Sequence, residues 1–527
     1  MAIINGRGRV GARPSSGGGG SSYDADALAF FTAASITDTT QMSAVNTLVT
    51  GLKSNNLWTK IKALYPVVGG NSTAHSKNLK NPSQYNLTFT SGWVHSSTGM
   101  LPNGTSAYAS TGIKVSDFAP DSMGLGVYLR TNNDGLFCDI GTSDTSRFQL
   151  LTRYFNNIYS AFSNSNVNAT GAVTDSRGLT TIGRVSTTSR KTFKNGVLKF
   201  TSSETITSTT NISTYDFKIG TTGQPALQWY SNRENSLTVF KLALTDAEES
   251  ILYTLVQAFQ TTLGRHVGVP VVSDSDAQAF LNSANISDLT QASAVNTLVT
   301  SLKLNGLWSK MKAIYPIVGG NATAHSYNLK NTAQYNLTFS NGWVHSSTGM
   351  LPNGTSAFAN TNLNPTTIGI GQNSVCYGVY SRTQSVGNTA LLGAANPAYS
   401  LSVSLFPNYS TNQLYSSLNG AESYTLPYTN TNSKGLFCIN RVTSTDKQDW
   451  VNGTKIQTLS GSQRGAITTG NINENITLSA INWQGARYYF SNRELAFSFI
   501  SDGLTDSESS TLYTSVQAFQ TTLSRNV

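Results

Sequence analysis

LWTKIKALYPVVGGN (Leu57–Asn71) decides the architecture, because it returns as LWSKMKAIYPIVGGN (Leu307–Asn321), 250 residues later. The match runs on: NSTAHSKNLKN (71–81) becomes NATAHSYNLKN (321–331), and GWVHSSTGMLPNGTSAYA (92–109) becomes GWVHSSTGMLPNGTSAFA (342–359). A repeat of this period means one folding unit written twice. At 527 residues, each copy is large enough to bury its own core.

Upstream of the quoted stretch the pattern is helical. Ala27, Phe30 and Phe31 fall on one side of a short helix. Thr37-Asp-Thr-Thr resembles a helix start, and Val45, Leu48, Val49 and Leu52 follow at helical spacing. Trp58, Ile61, Leu64 and Tyr65 continue the spacing and predict a third helical piece. Pro66 ends it and Gly69-Gly70 turns the chain.

Downstream the texture changes to short strand-like runs: 85–89, 126–130, 147–154, 179–185, 191–193, 197–200, 217–219 and 236–242. Gly, Asn, Ser and Thr clusters separate them, which predicts an antiparallel sandwich or jelly roll. Lys194-Asn-Gly196 is a hairpin signal, since Asn-Gly suits the primed turn; Val451-Asn-Gly453 is its partner. Leu244–Arg265 reads as a closing helix with a capping box, Thr245 to Glu248, repeated as Thr505 to Glu508. Its expected buried stripe is Ile251, Leu255, Phe259 and Leu263, with Leu252 and Val256 beside it.

The expected organisation is therefore a leader and Gly/Ser linker (1–22), a first unit (23–266), a linker (267–274) and a second unit (275–527). Each unit is mainly β, a jelly-roll sandwich with N-terminal helices and a closing helix. In the leader, Ile3, Ile4, Arg7, Arg9 and Val10 form an apolar and basic segment ahead of a flexible tether. Its 22 residues could reach about 70 Å at ~3.3 Å each. It reads as an anchor peptide that docks on a larger assembly by strand addition or groove filling. A frayed terminus is the alternative.

Only 12% of residues are charged, against roughly 25% in ordinary soluble domains. The formal charge of +9 is scattered, without the basic and aromatic interleaving that tracks nucleic acid. Cys138, Cys376 and Cys438 lack metal or disulfide spacing and read as buried thiols. No signal peptide and no 18-residue apolar run is present, so no membrane span is expected. No metal site or cofactor is expected.

Candidate chemistry is sparse. His75 and His95 recur as His325 and His345; structural hydrogen bonding is the expected role and a ligand role the alternative. Sugar hydrolysis needs two carboxylates roughly 5 to 10 Å apart, and no string of alternating acids supplies them. The acids sit instead at helix starts, where the dipole favours them. No GxSxG, HExxH or phosphate-cradling loop occurs. The second duplicated cluster is Trp229-Tyr230-Ser-Asn232-Arg233-Glu, echoed by Tyr489-Phe-Ser-Asn492-Arg493-Glu494. Aromatic, Asn and Arg side chains together suit a glycan; a structural turn with a local salt bridge is the competing reading.

The order Asn195-Gly196, Ile219-Gly220, Leu244-Thr245 to Glu248 resembles the C-terminal part of concanavalin A-like lectin/glucanase (laminin-G-like) jelly rolls. In the second unit the order is Asn452-Gly453, then Leu504-Thr505 to Glu508, with Ser479-Ala480 in place of Ile-Gly. The preceding block, from Leu57 to Ala109, is similar to a segment of virion proteins of tailed phages infecting Bacteroidetes. That resemblance implies a head fibre, capsid decoration or tail fibre protein on the particle surface. It further implies partners among other virion proteins, bacterial surface glycans as ligands, and a homo-oligomer, for fibres a trimer. The glucanase acid motif is absent, so no hydrolase activity is implied. A purely architectural decoration protein is the second reading, and a glycan-cleaving enzyme the third.

Overall fold

The computed structural model describes the chain outside residues 1–22, 119–121, 144–146, 165–167, 187, 204–214, 224–226, 371, 397–400, 410–411, 421–427 and 461–471. The expected anchor residues Ile3, Ile4, Arg7, Arg9 and Val10 lie outside the described residues. The chain divides into two compact units, Met1–Phe259 and Gln260–Val527.

In the first unit, α1 (Ala25–Ala34) and α2 (Thr39–Ser54) come first. The Asp24 carboxylate accepts from the Asp26 amide and that of Asp38 from Gln41, satisfying N–H groups that a helix start leaves without partners. The third helical piece is not a helix. Trp58–Lys60 makes one 3-10 turn, and Ile61–Tyr65 is a strand, β1. Ile61, Ala63, Leu64 and Tyr65 are all buried, so the run carries no polar face to separate the two periods. Asn78 then holds the loop after α3 (Ser72–His75): its side-chain oxygen accepts from Leu64 N, and its amide donates to Gln84 O. Asn328 repeats both contacts, which accounts for the duplicated NLKN.

The strands follow as β2 (Thr88–Phe89), β3 (Trp93–His95), β4 (Met100–Pro102), β5 (Ala109–Lys114), β6 (Met123–Leu129) and β7 (Ile140–Ser143). Then come β8 (Arg147–Tyr154), β9 (Asn157–Asn164), β10 (Asn168–Ala172), β11 (Gly178–Ser186) and β12 (Ser189–Lys194). Last are β13 (Val197–Ser202), β14 (Asp216–Ile219), β15 (Asn235–Lys241) and the closing helix α4 (Asp246–Thr262). The expected strand at 85–89 shrinks to β2, because Tyr85 takes φ 55° and accepts from the Tyr65 hydroxyl through its carbonyl.

One sheet runs β13-β12-β11-β6-β15-β4-β3, with β1 also on β15; the other runs β10-β9-β8-β7-β14-β5-β2. Leu125, Val127, Ile182 and Phe240 of the first sheet meet Ile140, Leu150, Phe217 and Ile219 of the second. Every residue of β6 and β15 is buried, because the helices cover the first sheet's other face. Asn195 and Gly196 both take positive φ, the primed turn expected of Asn-Gly. The second unit repeats the plan with an eight-stranded and a nine-stranded sheet. The fold is thus mainly β: tandem antiparallel jelly-roll sandwiches, each with N-terminal helices and a closing helix.

The capping boxes form as expected in both closing helices: Thr245 N donates to Glu248, Glu248 N donates to Thr245 Oγ1, and Thr505 and Glu508 do the same. The buried line of α4 is Leu252, Val256 and Phe259; Ile251, Leu255 and Leu263 are only half-buried. Leu255 instead packs where Gly51 of α2 has no side chain, 2.6 Å from the place a Cβ would occupy. In the second unit the chain end grips the opening stretch. Arg525 donates to Ile317 O (2.6 Å), Pro316 O (2.7 Å) and Ala496 O (2.9 Å). Ile317 sits at φ 48°, a strained position for a branched residue that this clamp holds.

One buried cluster differs between the copies. In the first unit Lys241 pairs with Glu249 at 2.5 Å, both enclosed, and Thr181 donates to Glu249 at 2.8 Å. A Cβ on Gly124 would stand 2.8 Å from the Lys241 ammonium. By strand register the second unit has Cys376 for Gly124, Cys438 for Thr181 and Ser501 for Lys241, and by position in the closing helix Ser509 for Glu249. The two thiols are neighbours, and burial, then Cys438, pushes that of Cys376 well up. Cys138 lies on no equivalent position; it precedes β7.

Candidate functional site

The duplicated aromatic-Ser-Asn-Arg-Glu cluster forms a corner leading into β15, and into Leu495–Ser501 in the second unit. Its first aromatic takes a left-handed conformation in both copies: Trp229 at φ 55° and Tyr489 at φ 60°. That kink turns each carbonyl onto the strand approach opposite, accepting from Cys138 N (2.7 Å) and Ala390 N (2.8 Å).

Arg233 and Arg493 do not face a ligand. Arg233 is 1% exposed and Arg493 fully enclosed. Arg233 donates to Asp139 (2.9 Å) and to the carbonyls of Asn133 (2.9 Å) and Arg153. It thereby ties the loop before β7 to the end of β8. Asp139 also accepts from Ser231 and Thr152, so its buried charge is fully partnered. In the second unit Leu391 holds the place of Asp139, and Arg493 relies on the oxygens of Thr389, Ser385 and Asn408. Burial lowers Arg493 to about 10. The local salt bridge expected at this turn runs to Asp139, while Glu234 pairs with Arg130 at 3.0 Å and Glu494 with Arg382 at 2.6 Å.

The remaining corner residues reach solvent. Trp229, Tyr230 and Asn232 are half-buried, as is Tyr489, and Asn492 is exposed. The Arg147 guanidinium lies 5.8 Å from the Trp229 ring. Asn232 accepts from Asn133 at 3.0 Å.

Sequence reasoning missed aromatic neighbours of Tyr489. Its ring meets Phe406 edge-on at 5.4 Å; Phe406 meets Tyr409, and Tyr409 meets Tyr415 at 4.7 Å. Trp483 and Tyr488, on the hairpin Ile481–Trp483 and Ala486–Tyr488, stand 5.1 Å apart beside them. Tyr409, Tyr415 and Trp483 are half-buried and Tyr488 is exposed. The signal was the density of Tyr at two strand ends, whose outward direction only register reveals.

The histidines meet each other. His75 Nδ1 lies 2.9 Å from His95 Nδ1, and His325 Nδ1 lies 2.9 Å from His345 Nδ1. One neutral ring donates and the other accepts, which fastens the helical block to the β3–β4 hairpin. Burial, then the neighbouring His345 and Arg525, lower His325 to about 3. Among the described residues, no group of three or more His, Cys, Asp or Glu is placed to hold a metal ion. Among them, too, no helix is long and apolar enough to cross a membrane.

No family model and no curated protein sequence matches the chain. Solved structures to which part of the chain is similar include domain 4 of AbnA, a GH43 extracellular arabinanase from Geobacillus stearothermophilus, in complex with arabinotriose. That match has TM-score 0.24 and 15% identity, over 37% of this chain and 98% of that one. The CBM40 of Ruminococcus gnavus IT-sialidase, bound to α2,6 sialyllactose, matches at TM-score 0.22 and 16% identity, over 28% and 85%. NanB sialidase from Streptococcus pneumoniae matches at TM-score 0.23 and 13% identity, over 28% of this chain and 26% of its own length. The chain thus spans about a quarter of that enzyme. These likenesses are at a level that says nothing of activity.

Proposed function

We propose that the protein is a non-catalytic virion protein of a tailed phage, a head fibre, decoration or tail fibre, that displays two lectin-like sandwiches. Its leader binds another virion protein, and the corners at Trp229, Tyr230 and Asn232 and at Tyr489 and Asn492 touch bacterial surface glycans weakly. The observation that carries this reading is the twice-built corner: a half-exposed aromatic in a strained conformation, held by a buried arginine. Strain kept at the same place in two diverged copies points to use. The carboxylates there are already engaged with Arg233, Arg130 and Arg382, which supports adhesion over acid catalysis. Many copies per particle would raise weak contacts to useful avidity.

Electron microscopy of intact particles with a labelled chain tests the location; absence from the particle sinks it. Deleting residues 1–13 should abolish incorporation and leave the melting temperature unchanged. Incorporation that survives the deletion removes the leader's role.

A further inference from the structure

We propose that the turn joining β8 to β9 is a second contact site, for a neutral glycan, with Phe155 as its stacking face; this rests on the glycan-contact reading above. The hairpin turn consists of Phe155 at φ 45° and Asn156 at φ 55°. Such a primed turn takes Asn-Gly by preference, and a bulky residue in the left-handed region is strained. Packing does not offset that strain, because Phe155 is 69% exposed. Its ring lies 4.3 Å from Tyr154, which lies 5.3 Å from Tyr159. Three aromatic rings therefore meet at one exposed tip.

The rim around them is polar and electrically balanced. Arg153 donates to Asn132 (2.8 Å) and Asn156 (2.6 Å) and faces Asp134 at 3.5 Å. Asp134 also accepts from Asn156 N at 3.1 Å. One cation and one anion cancel, leaving the side-chain amides of exposed Asn132 and Asn156 to meet a ligand. An aromatic face beside amides matches an uncharged pyranose, whose C–H face stacks and whose hydroxyls bond. An acidic sugar would find the nearby cation already engaged. In the second unit Tyr409 and Tyr415 stand 4.7 Å apart near the corresponding strand ends, and Asn412 takes φ 56°. By register Tyr415 is the counterpart of Tyr159, since Phe406 pairs with Tyr415 as Leu151 pairs with Tyr159.

The test uses the full chain on a printed array of neutral and of uronate- or sialate-bearing oligosaccharides, with melting temperatures in parallel. Wild type should bind neutral glycans. Phe155→Gly should weaken binding while keeping or raising the melting temperature, because glycine suits positive φ. Phe155→Gly combined with Tyr154→Ala, which leaves the aromatic neighbours of Tyr489 untouched, should lose at least about tenfold, equivalent to ~1.4 kcal/mol. Unchanged binding in the double variant, with loss in Trp229→Ala/Tyr489→Ala, overturns this inference and leaves the corner reading standing. A preference for acidic glycans, or a lower melting temperature that accounts for the loss, overturns it as well. Silence of the wild type on all glycans overturns both.

Discussion

Arg233 shows how a residue chosen for its chemistry can turn out to serve the fold. Its guanidinium fans over carbonyls from two loops and one buried carboxylate. Arg233→Met should destabilise the first unit by about 3–5 kcal/mol in urea unfolding, since Asp139 would be left buried and unpaired. Lysine should not rescue, because one ammonium cannot span the same acceptors. The histidine pair makes a second prediction. Folding holds His325 neutral, with its affinity for a proton lowered from 6.5 to about 3. As pH falls from about 6.5 toward 3, the unfolded chain takes up a proton that the folded one refuses, so stability falls through that window and this contribution is level above it. His325→Gln should flatten that part of the stability–pH curve, read by denaturant titration at pH 7, 5 and 4.

Among the elements, caps and hairpin turns were legible because their chemistry is local. Thr245 and Thr505 bond within one helical turn, and Asn195-Gly196 needs only its own backbone. Thr505→Ala should cost about 1 kcal/mol, measured by thermal unfolding. Ile61–Tyr65 was misread because its partner, β15, lies far along the chain and makes both faces interior. The short strands β3, β4 and β5 escaped for a related reason: their pairing is non-local and their sequence alternates weakly. The site was legible in part. Duplication marked the corner, but the burial of Arg233 and Arg493 and the exposure of Phe155 depend on turn geometry and register that composition does not carry.

For the whole molecule, the two-unit division and the separate cores of the second unit predict autonomy. Residues 267–527 alone should unfold in one cooperative transition, seen by circular dichroism. A non-cooperative melt would show that the unit leans on the other half. A chain with only 12% charged residues also predicts weak dependence of that transition on salt.

The ion pair of Lys241 and Glu249, replaced by two serines and two thiols in the other copy, amounts to an epistasis experiment already run within one chain. Ser501→Lys alone would drive an ammonium toward Cys376 with no counterion, lowering the melting temperature. Adding Cys376→Gly and Ser509→Glu should recover much of it, and the size of that recovery measures how tightly the positions of this cluster are coupled.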